Sequence, residues 1–225
     1  MLKSAYSLHY LRFLHHLVSK DDIFVNRLFL VRENIRENFA LNGQLQLTMF
    51  CAIIISKLQG GMDMVYGAIN KKGEKYYTFL PKLFDAIDNA QLDYNWLITA
   101  CDCNRPNKVE EECLRQGYCW ISGKELTQIV QETQIQWIWA VLSGFEKDIA
   151  LEEVLAYPYP EADGYPGFWH NPLSMQHPLA TVEIVPWDSG LTLFFSKKEE
   201  LVQKFRAGYP YSKDLFAYNA KFENK

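Results

Sequence analysis

The stretch VEIVPWDSGLTLFFSKKEELVQKF, residues 182–205, decides the fold. Two apolar segments flank the D-S-G sequence at 188–190, which favours a tight turn, so the segments are predicted to pair as a β-hairpin. Ser196 and Glu199 then match a capping box, which predicts a helix after the second strand, with Gly208 at its C-terminus. A hairpin followed by a helix is typical of an antiparallel sheet that packs against helices.

Patterns typical of strands and of helices continue back to Met64. Together they predict an α+β fold: a mainly antiparallel sheet with helices on one face, preceded by a helix-rich N-terminal segment. Strands are predicted at 65–70, 94–100, 118–121, 135–145, 180–187 and 191–195, and helices at 79–89, 122–133, 149–157, 196–208 and 212–219. The Ser122/Glu125 pair is a second capping-box match, and residues 102–117 and 158–172 are predicted loops.

Two segments are expected in the domain organisation. Residues 62–225 are predicted to form a single α+β domain, and residues 1–61 a helix-rich N-terminal segment. Gln59-Gly60-Gly61 can be encoded by a purine-rich string upstream of Met64, which suggests the hypothesis that translation starts at Met64 or Met62 and that residues 1–61 are an over-extended reading frame. The alternative is that the two glycines form a flexible linker after a real helical segment.

The charge of the chain bears on its partners. The formal net charge is -4 and the calculated pI is 5.8. From Met64 onward, 16 Lys and Arg residues stand against 22 Asp and Glu residues. A nucleic-acid binder needs a basic surface to neutralise phosphates, so this balance argues against nucleic acid and is compatible with a basic protein partner.

Cysteine usage and hydropathy point to a cytoplasmic protein. The five cysteines are an odd number, and the N-terminal apolar stretch 6–18 is interrupted by His and Arg and is a poor signal peptide. The strongest apolar run, 47–58, is too short to span a bilayer. We therefore expect no membrane partner. The sequence does not indicate an oligomeric state.

The part of the chain after Met62 resembles an uncharacterised family of small bacterial proteins of the Bacillus type, catalogued only as a domain of unknown function. The matching stretches, in order, are MDMVYGAINKKGEKYYTFLPKLFDAI, YNWLIT, ISGKELTQIV, IWAVLSGF and VEIVPWDSGLTLFFSKKEELVQKF, which together span roughly residues 62–205. The resemblance implies an α+β fold and no particular activity. The sequence departs from the family in the loop 157–178 and in the first sixty residues.

Four cysteines are weak candidates for a metal site. Four thiolates within nineteen residues could bind zinc, but a C-x-C pair followed by two isolated cysteines departs from paired C-x2-C knuckles. Buried or incidental thiols are the favoured interpretation, so no metal and no cofactor are predicted. The four are Cys101, Cys103, Cys113 and Cys119.

An enzymatic function has little support. The chain contains no nucleophile elbow, no zinc-protease motif, no phosphate-binding glycine loop and no dinucleotide fingerprint. No catalytic residue is therefore assigned. The alternative that stays open is a hydrolase or transferase with a non-standard site around His170, His177 and Asp188.

The loop 157–172 is the best candidate for function. Long aromatic loops often bind partners, although the aromatic side chains could instead fold back over the core. The leading prediction is a non-enzymatic protein-binding module, by analogy an immunity-type inhibitor of a toxin. The predicted partner-binding residues are Tyr157, Tyr159, Glu161, Asp163, Tyr165, Phe168, Trp169 and His170.

Overall fold

A computed structural model of the protein describes residues 64–223. These residues belong to one compact unit that begins at Asp63. The predictions for residues 1–61, both the helix-rich segment and the start-site hypothesis, lie outside the described residues.

The described chain alternates strands and helices in nearly the predicted order. Its strands are β1 (Tyr66–Asn70), β2 (Tyr94–Cys103), β3 (Tyr118–Ser122), β4 (Trp137–Glu146), β5 (Val182–Trp187), β6 (Leu191–Ser196) and β7 (Lys213–Asp214). Its helices are α1 (Leu80–Ala86), α2 (Lys108–Gln116), α3 (Gly123–Glu132), α4 (Leu151–Val154), α5 (Glu199–Gly208) and α6 (Leu215–Glu223), with 3₁₀ turns at Ala90–Asp93 and Pro166–Trp169.

The seven strands form one sheet in the order β3-β2-β4-β5-β6-β1-β7. Every pairing is antiparallel, which confirms the predicted α+β class and its antiparallel sheet. The hairpin of β5 and β6 is also confirmed, with Val185 opposite Leu193. Asp188 and Ser189 take left-handed backbone angles in its turn, with φ of 47° and 51°, a conformation that Asp tolerates better than most residues.

Both faces of the sheet are apolar, so both need a cover. On the first face, which we call the helical face, α1, α2, α3 and α5 bury one cluster of side chains. The second face carries a separate cluster that includes Phe168 and Leu215. Because successive strand residues point to opposite sides, Ala68 contributes to the first cluster and Ile69 to the second. The prediction of helices on one face is therefore correct for four helices, whereas α6 and the segment 147–181 cover the other face.

The prediction of a polar loop over residues 102–117 was wrong, because these residues contain α2. The Asn107 side chain accepts hydrogen bonds from the N–H groups of Val109 and Glu110, and Gly117 ends the helix with φ 87°. Both are ordinary helix-end signals. Strand β2 also runs three residues further than predicted, to Cys103.

Of the two predicted capping boxes, only the one at Ser122 forms, with Glu125 as its partner. Helix α5 begins at Glu199 without a side-chain cap, and the Ser196 hydroxyl instead accepts from Lys198 N–H at 2.9 Å. Gly208 is the last residue of α5 and not its left-handed cap. Here a Cβ atom would lie 2.5 Å from Ala86 Cβ, so glycine permits the close approach of α5 to α1.

Candidate functional site

The predicted partner-binding loop supplies much of the cover of the second face. Phe168 is 1% exposed, and its ring centroid lies 5.7 Å from that of Phe195 and 5.9 Å from that of Trp187. Trp169 packs against Trp187 at 5.2 Å, and Tyr165 packs against Phe168 at 4.8 Å. These aromatic side chains fold back onto the sheet, which is the alternative considered from the sequence.

A buried carboxylate holds the end of this cover in place. Glu183 on β5 is fully buried, and it accepts hydrogen bonds from the backbone N–H groups of Gln176 and His177, both at 2.8 Å. The Ser143 hydroxyl donates to it at 3.3 Å. Burial raises the pKa of Glu183 to about 7, although these hydrogen bonds oppose the shift. Glu183 therefore connects the sheet to the chain that crosses it.

His177 is a structural histidine. Its side chain is 1% exposed, and Leu179 N–H donates to its Nδ1 at 3.3 Å. With Nδ1 accepting, Nε2 carries the proton and donates to the Val154 carbonyl at 3.1 Å. The rings of Phe145 and Tyr157 enclose it, at 4.7 and 5.2 Å. Burial lowers the pKa of His177, so the ring is neutral and both nitrogens are engaged.

The three residues of the enzymatic alternative are not brought to one point. His177 N–H binds Glu183 near the start of β5, whereas Asp188 follows the end of that strand. Asp188 lies five residues after Glu183 along an extended chain, which corresponds to about 16 Å. The side chains of Asp188 and His170 are both exposed. His177 therefore lies apart from Asp188.

The cysteines come together only in part. The Sγ atoms of Cys101 and Cys103 are 3.7 Å apart, and Cys113 donates to the Ile98 carbonyl at 3.3 Å. Cys119 is buried on β3. Within residues 64–223, no group of three or more His, Cys, Asp or Glu residues is arranged to hold a metal ion.

One polar cleft of about 340 Å³ lies between the 3₁₀ turn Ala90–Asp93 and α5. Its two lysines are engaged with neighbouring groups. Lys198 binds the Tyr94 hydroxyl at 2.9 Å and Glu146 at 3.1 Å, and Lys204 binds Asp88 at 3.0 Å. The cleft therefore offers no unpaired cation to an anionic ligand.

The exposed part of the predicted loop lies beside an edge strand. Tyr159 is 42% exposed, and its ring packs against Tyr118, the first residue of β3, at 5.5 Å. The Thr99 hydroxyl donates to the Pro160 carbonyl at 2.7 Å. Thr99 is also the β2 partner of Tyr118, so this bond fixes the loop next to β3.

Strand β3 lies at one end of the sheet, and in residues 64–223 it pairs only with β2. Trp120, further along β3, points to the same face as Tyr118 and is half-buried, with its ring 5.7 Å from Phe145. An edge strand presents backbone donors and acceptors that an extended segment can use. We call the surface formed by Tyr118, Trp120, Tyr159, Glu161 and Asp163 the edge patch.

The segment 148–196, which includes most of the cover of the second face, carries acidic charge only. Residues 148–196 contain no Lys or Arg. Of their seven acidic residues, only Glu183 is buried. The exposed ones are Asp148, Glu152, Glu153, Glu161, Asp163 and Asp188. A surface of this kind attracts cationic partners.

Sequence reasoning did not find the roles of Glu183, Tyr118 and Trp120. A lone carboxylate in the apolar strand VEIVPW is a sequence signal that could have marked Glu183. Tyr118 and Trp120 belong to an edge only because of the strand order, and a single sequence does not contain that information.

In residues 64–223, every helix is too short or too polar to cross a membrane. Comparison with known proteins adds no relative: no protein-family model, curated protein or solved structure matches this chain. The family resemblance inferred from residues 62–205 therefore stays a prediction.

Proposed function

We propose that this protein is a non-enzymatic protein-binding module, and that its edge patch receives an extended, basic segment of a partner. The observation that carries the proposal is the side of β3 that pairs with no strand of residues 64–223, next to the exposed Tyr159 ring. Strand addition to a sheet edge draws affinity from backbone hydrogen bonds and specificity from alternate side chains.

The chemistry of the edge patch favours a cationic occupant. Tyr118 and Trp120 lie two residues apart on β3, so they fall on the same face and can contact alternate side chains of an added strand. Glu161 and Asp163 are exposed and follow Pro160, which Thr99 binds, and no Lys or Arg lies between 148 and 196. Aromatic rings also attract Lys and Arg side chains.

Within this class, we propose an immunity-type inhibitor that binds a basic toxin. The acidic charge of residues 148–196 supports this form of the proposal, by analogy of charge alone. A cytoplasmic location is part of the proposal, because the odd number of cysteines suits a reducing compartment. Within residues 64–223, the enzymatic alternative would have to use His170 and Asp188 without His177, which lies apart from Asp188.

Selection from a random-peptide display library tests the binding proposal. We expect the full chain to enrich basic peptides rich in β-branched and aromatic residues. A synthetic copy of an enriched peptide should slow hydrogen exchange of β3 amides. Its affinity should fall at least tenfold for the Glu161→Lys/Asp163→Lys variant, since charge repulsion replaces attraction.

Glu200→Lys serves as the matched control, because Glu200 is an exposed carboxylate on α5. Affinity for the same peptide should change little in this variant. Three results would overturn the proposal: selection without enrichment of basic peptides, protection that spares β3, or equal affinity for the double variant and the control.

A further inference from the structure

Three thiols meet where β2 ends against α2. The Sγ atoms of Cys101 and Cys103 lie 3.7 Å apart. The neighbouring thiols of Cys103 and of Cys113 on α2 raise the pKa of Cys101. Cys101 and Cys103 are half-buried, whereas Cys113 is buried. The cluster is separate from the edge patch, and the proposed function does not use it.

An irregular strand brings the first two thiols together. In a regular strand, residues i and i+2 are about 6.6 Å apart along the chain. The pairing of β2 with β4 shifts register between Thr99 and Cys103, and Ala100 takes a left-handed φ of 49°. Bond formation needs the sulfur atoms to approach by a further 1.7 Å or so, because a disulfide bond is about 2.0 Å long.

We infer that Cys101 and Cys103 form a dithiol pair that a hydroperoxide oxidises reversibly to a disulfide. Cys103 is the last residue of β2 and, like Cys101, is partly exposed. The Cys101 sulfur lies 3.7 Å from that of Cys103, which suits it to attack Cys103 once that thiol is oxidised. Pairs of this kind, with a resolving cysteine beside the reactive one, are typical of redox-sensing sites.

The oxidation proceeds in two balanced steps. The Cys103 thiolate attacks one oxygen of hydrogen peroxide, the O–O bond breaks, and the departing hydroxide takes up the proton that Cys103 released, which yields a sulfenic acid and water. The Cys101 sulfur then attacks the Cys103 sulfur, the S–O bond breaks, and the hydroxide leaves with the Cys101 proton as a second water. Two thiols are oxidised and one peroxide is reduced.

This inference does not depend on the proposed function. It can be tested by mapping the tryptic peptides that contain the cysteines. Residues 83–108 form one peptide with Cys101 and Cys103, because trypsin does not cleave between Arg105 and Pro106. Cys113 lies in 109–115, Cys119 in 116–124 and Cys51 in 37–57. The Cys101–Cys103 disulfide therefore has a peptide signature that no other pairing shares.

The experiment treats the folded full chain with hydrogen peroxide, alkylates the remaining thiols and maps the peptides by mass spectrometry. We expect the 83–108 peptide to lose two hydrogen atoms and escape alkylation, and reduction with dithiothreitol to reverse both changes. Cleavage before the aspartates of this peptide should leave the fragments 93–101 and 102–108 joined by the disulfide.

Two variants extend the test. Cys101→Ser should leave a sulfenic acid on Cys103 that dimedone traps, while Cys119→Ser, the control, should form the disulfide as the wild type does. Alkylation of both thiols in the 83–108 peptide, a cross-link to 109–115, or dimedone on Cys113 in place of Cys103 would each overturn the assignment. Circular dichroism of each variant verifies that it folds.

Discussion

The Glu183 carboxylate accepts a hydrogen bond from His177 N–H, at 2.8 Å between Oε1 and N, in the interior of the second face. Glu183 belongs to the sheet, and His177 belongs to the segment that crosses it. This bond, with its neighbour from Gln176, holds an otherwise irregular segment against β5. A buried carboxylate with backbone donors is stable in this position only because its acceptor sites are occupied.

Glu183 should make stability depend on pH. Its pKa is raised by burial from 4.5 to about 7, so between these values the folded state binds more protons than the unfolded state. The contribution of Glu183 to the free energy of unfolding is therefore complete below about pH 4.5 and is lost as the pH rises to 7. The loss over this range amounts to about 3 kcal/mol. Denaturant unfolding of wild type and Glu183→Gln from pH 4.5 to 8 should show this difference.

Glu152→Gln is the matched control for that titration. Glu152 is an exposed carboxylate in the segment 147–181, which Glu183 holds against the sheet. Its difference from wild type should be nearly independent of pH. If the difference in unfolding free energy between wild type and Glu183→Gln is also independent of pH, the pKa of Glu183 is not raised by burial.

Gly208→Ala should separate α5 from α1. The added Cβ would lie 2.5 Å from Ala86 Cβ, and we expect a loss of about 1–3 kcal/mol in the free energy of unfolding. Ala86→Gly should relieve part of this loss in the double variant. A double-mutant cycle by chemical denaturation measures the coupling, and purely additive effects would show that the two residues do not compete for the same space.

Asn107→Ala should destabilise α2 by about 1 kcal/mol, because the N–H groups of Val109 and Glu110 lose their acceptor. Asn107→Asp keeps an acceptor at this position and should recover most of the loss. Besides thermal unfolding, the alkylation rate of Cys113 should rise in the alanine variant, since that thiol lies on the buried side of α2. An unchanged rate with normal stability would argue against this cap.

Tyr159→Ala should separate binding from stability. Tyr159 is partly exposed and packs mainly on Tyr118, so its removal should cost about 1 kcal/mol or less in unfolding free energy. Binding of the selected peptide should weaken at least tenfold, as for an aromatic residue central to an interface. Phe168→Ala is the contrasting variant: Phe168 is buried, and its truncation should cost about 3–5 kcal/mol.

Local signals in the sequence determined the hairpin of β5 and β6, most of the other strands and the capping box at Ser122. Each depends on neighbouring residues: a turn at 188–190, alternation along a strand, or a Ser–Glu pair three residues apart. Hydrogen bonds and side-chain periodicity of this range act within one element, so they can be read from one sequence. The helix α2 was missed although Asn107 and Gly117 marked both of its ends.

Tertiary structure alone decided the rest. Strand order placed β3 at the edge and thereby left Tyr118 and Trp120 only partly buried near Tyr159. The second apolar face of the sheet needed a cover, and this requirement buried Phe168 and His177, which the sequence had marked as candidates for function. These outcomes depend on contacts between segments far apart in the chain, and the local pattern around each residue is the same whether its side chain faces solvent or the core.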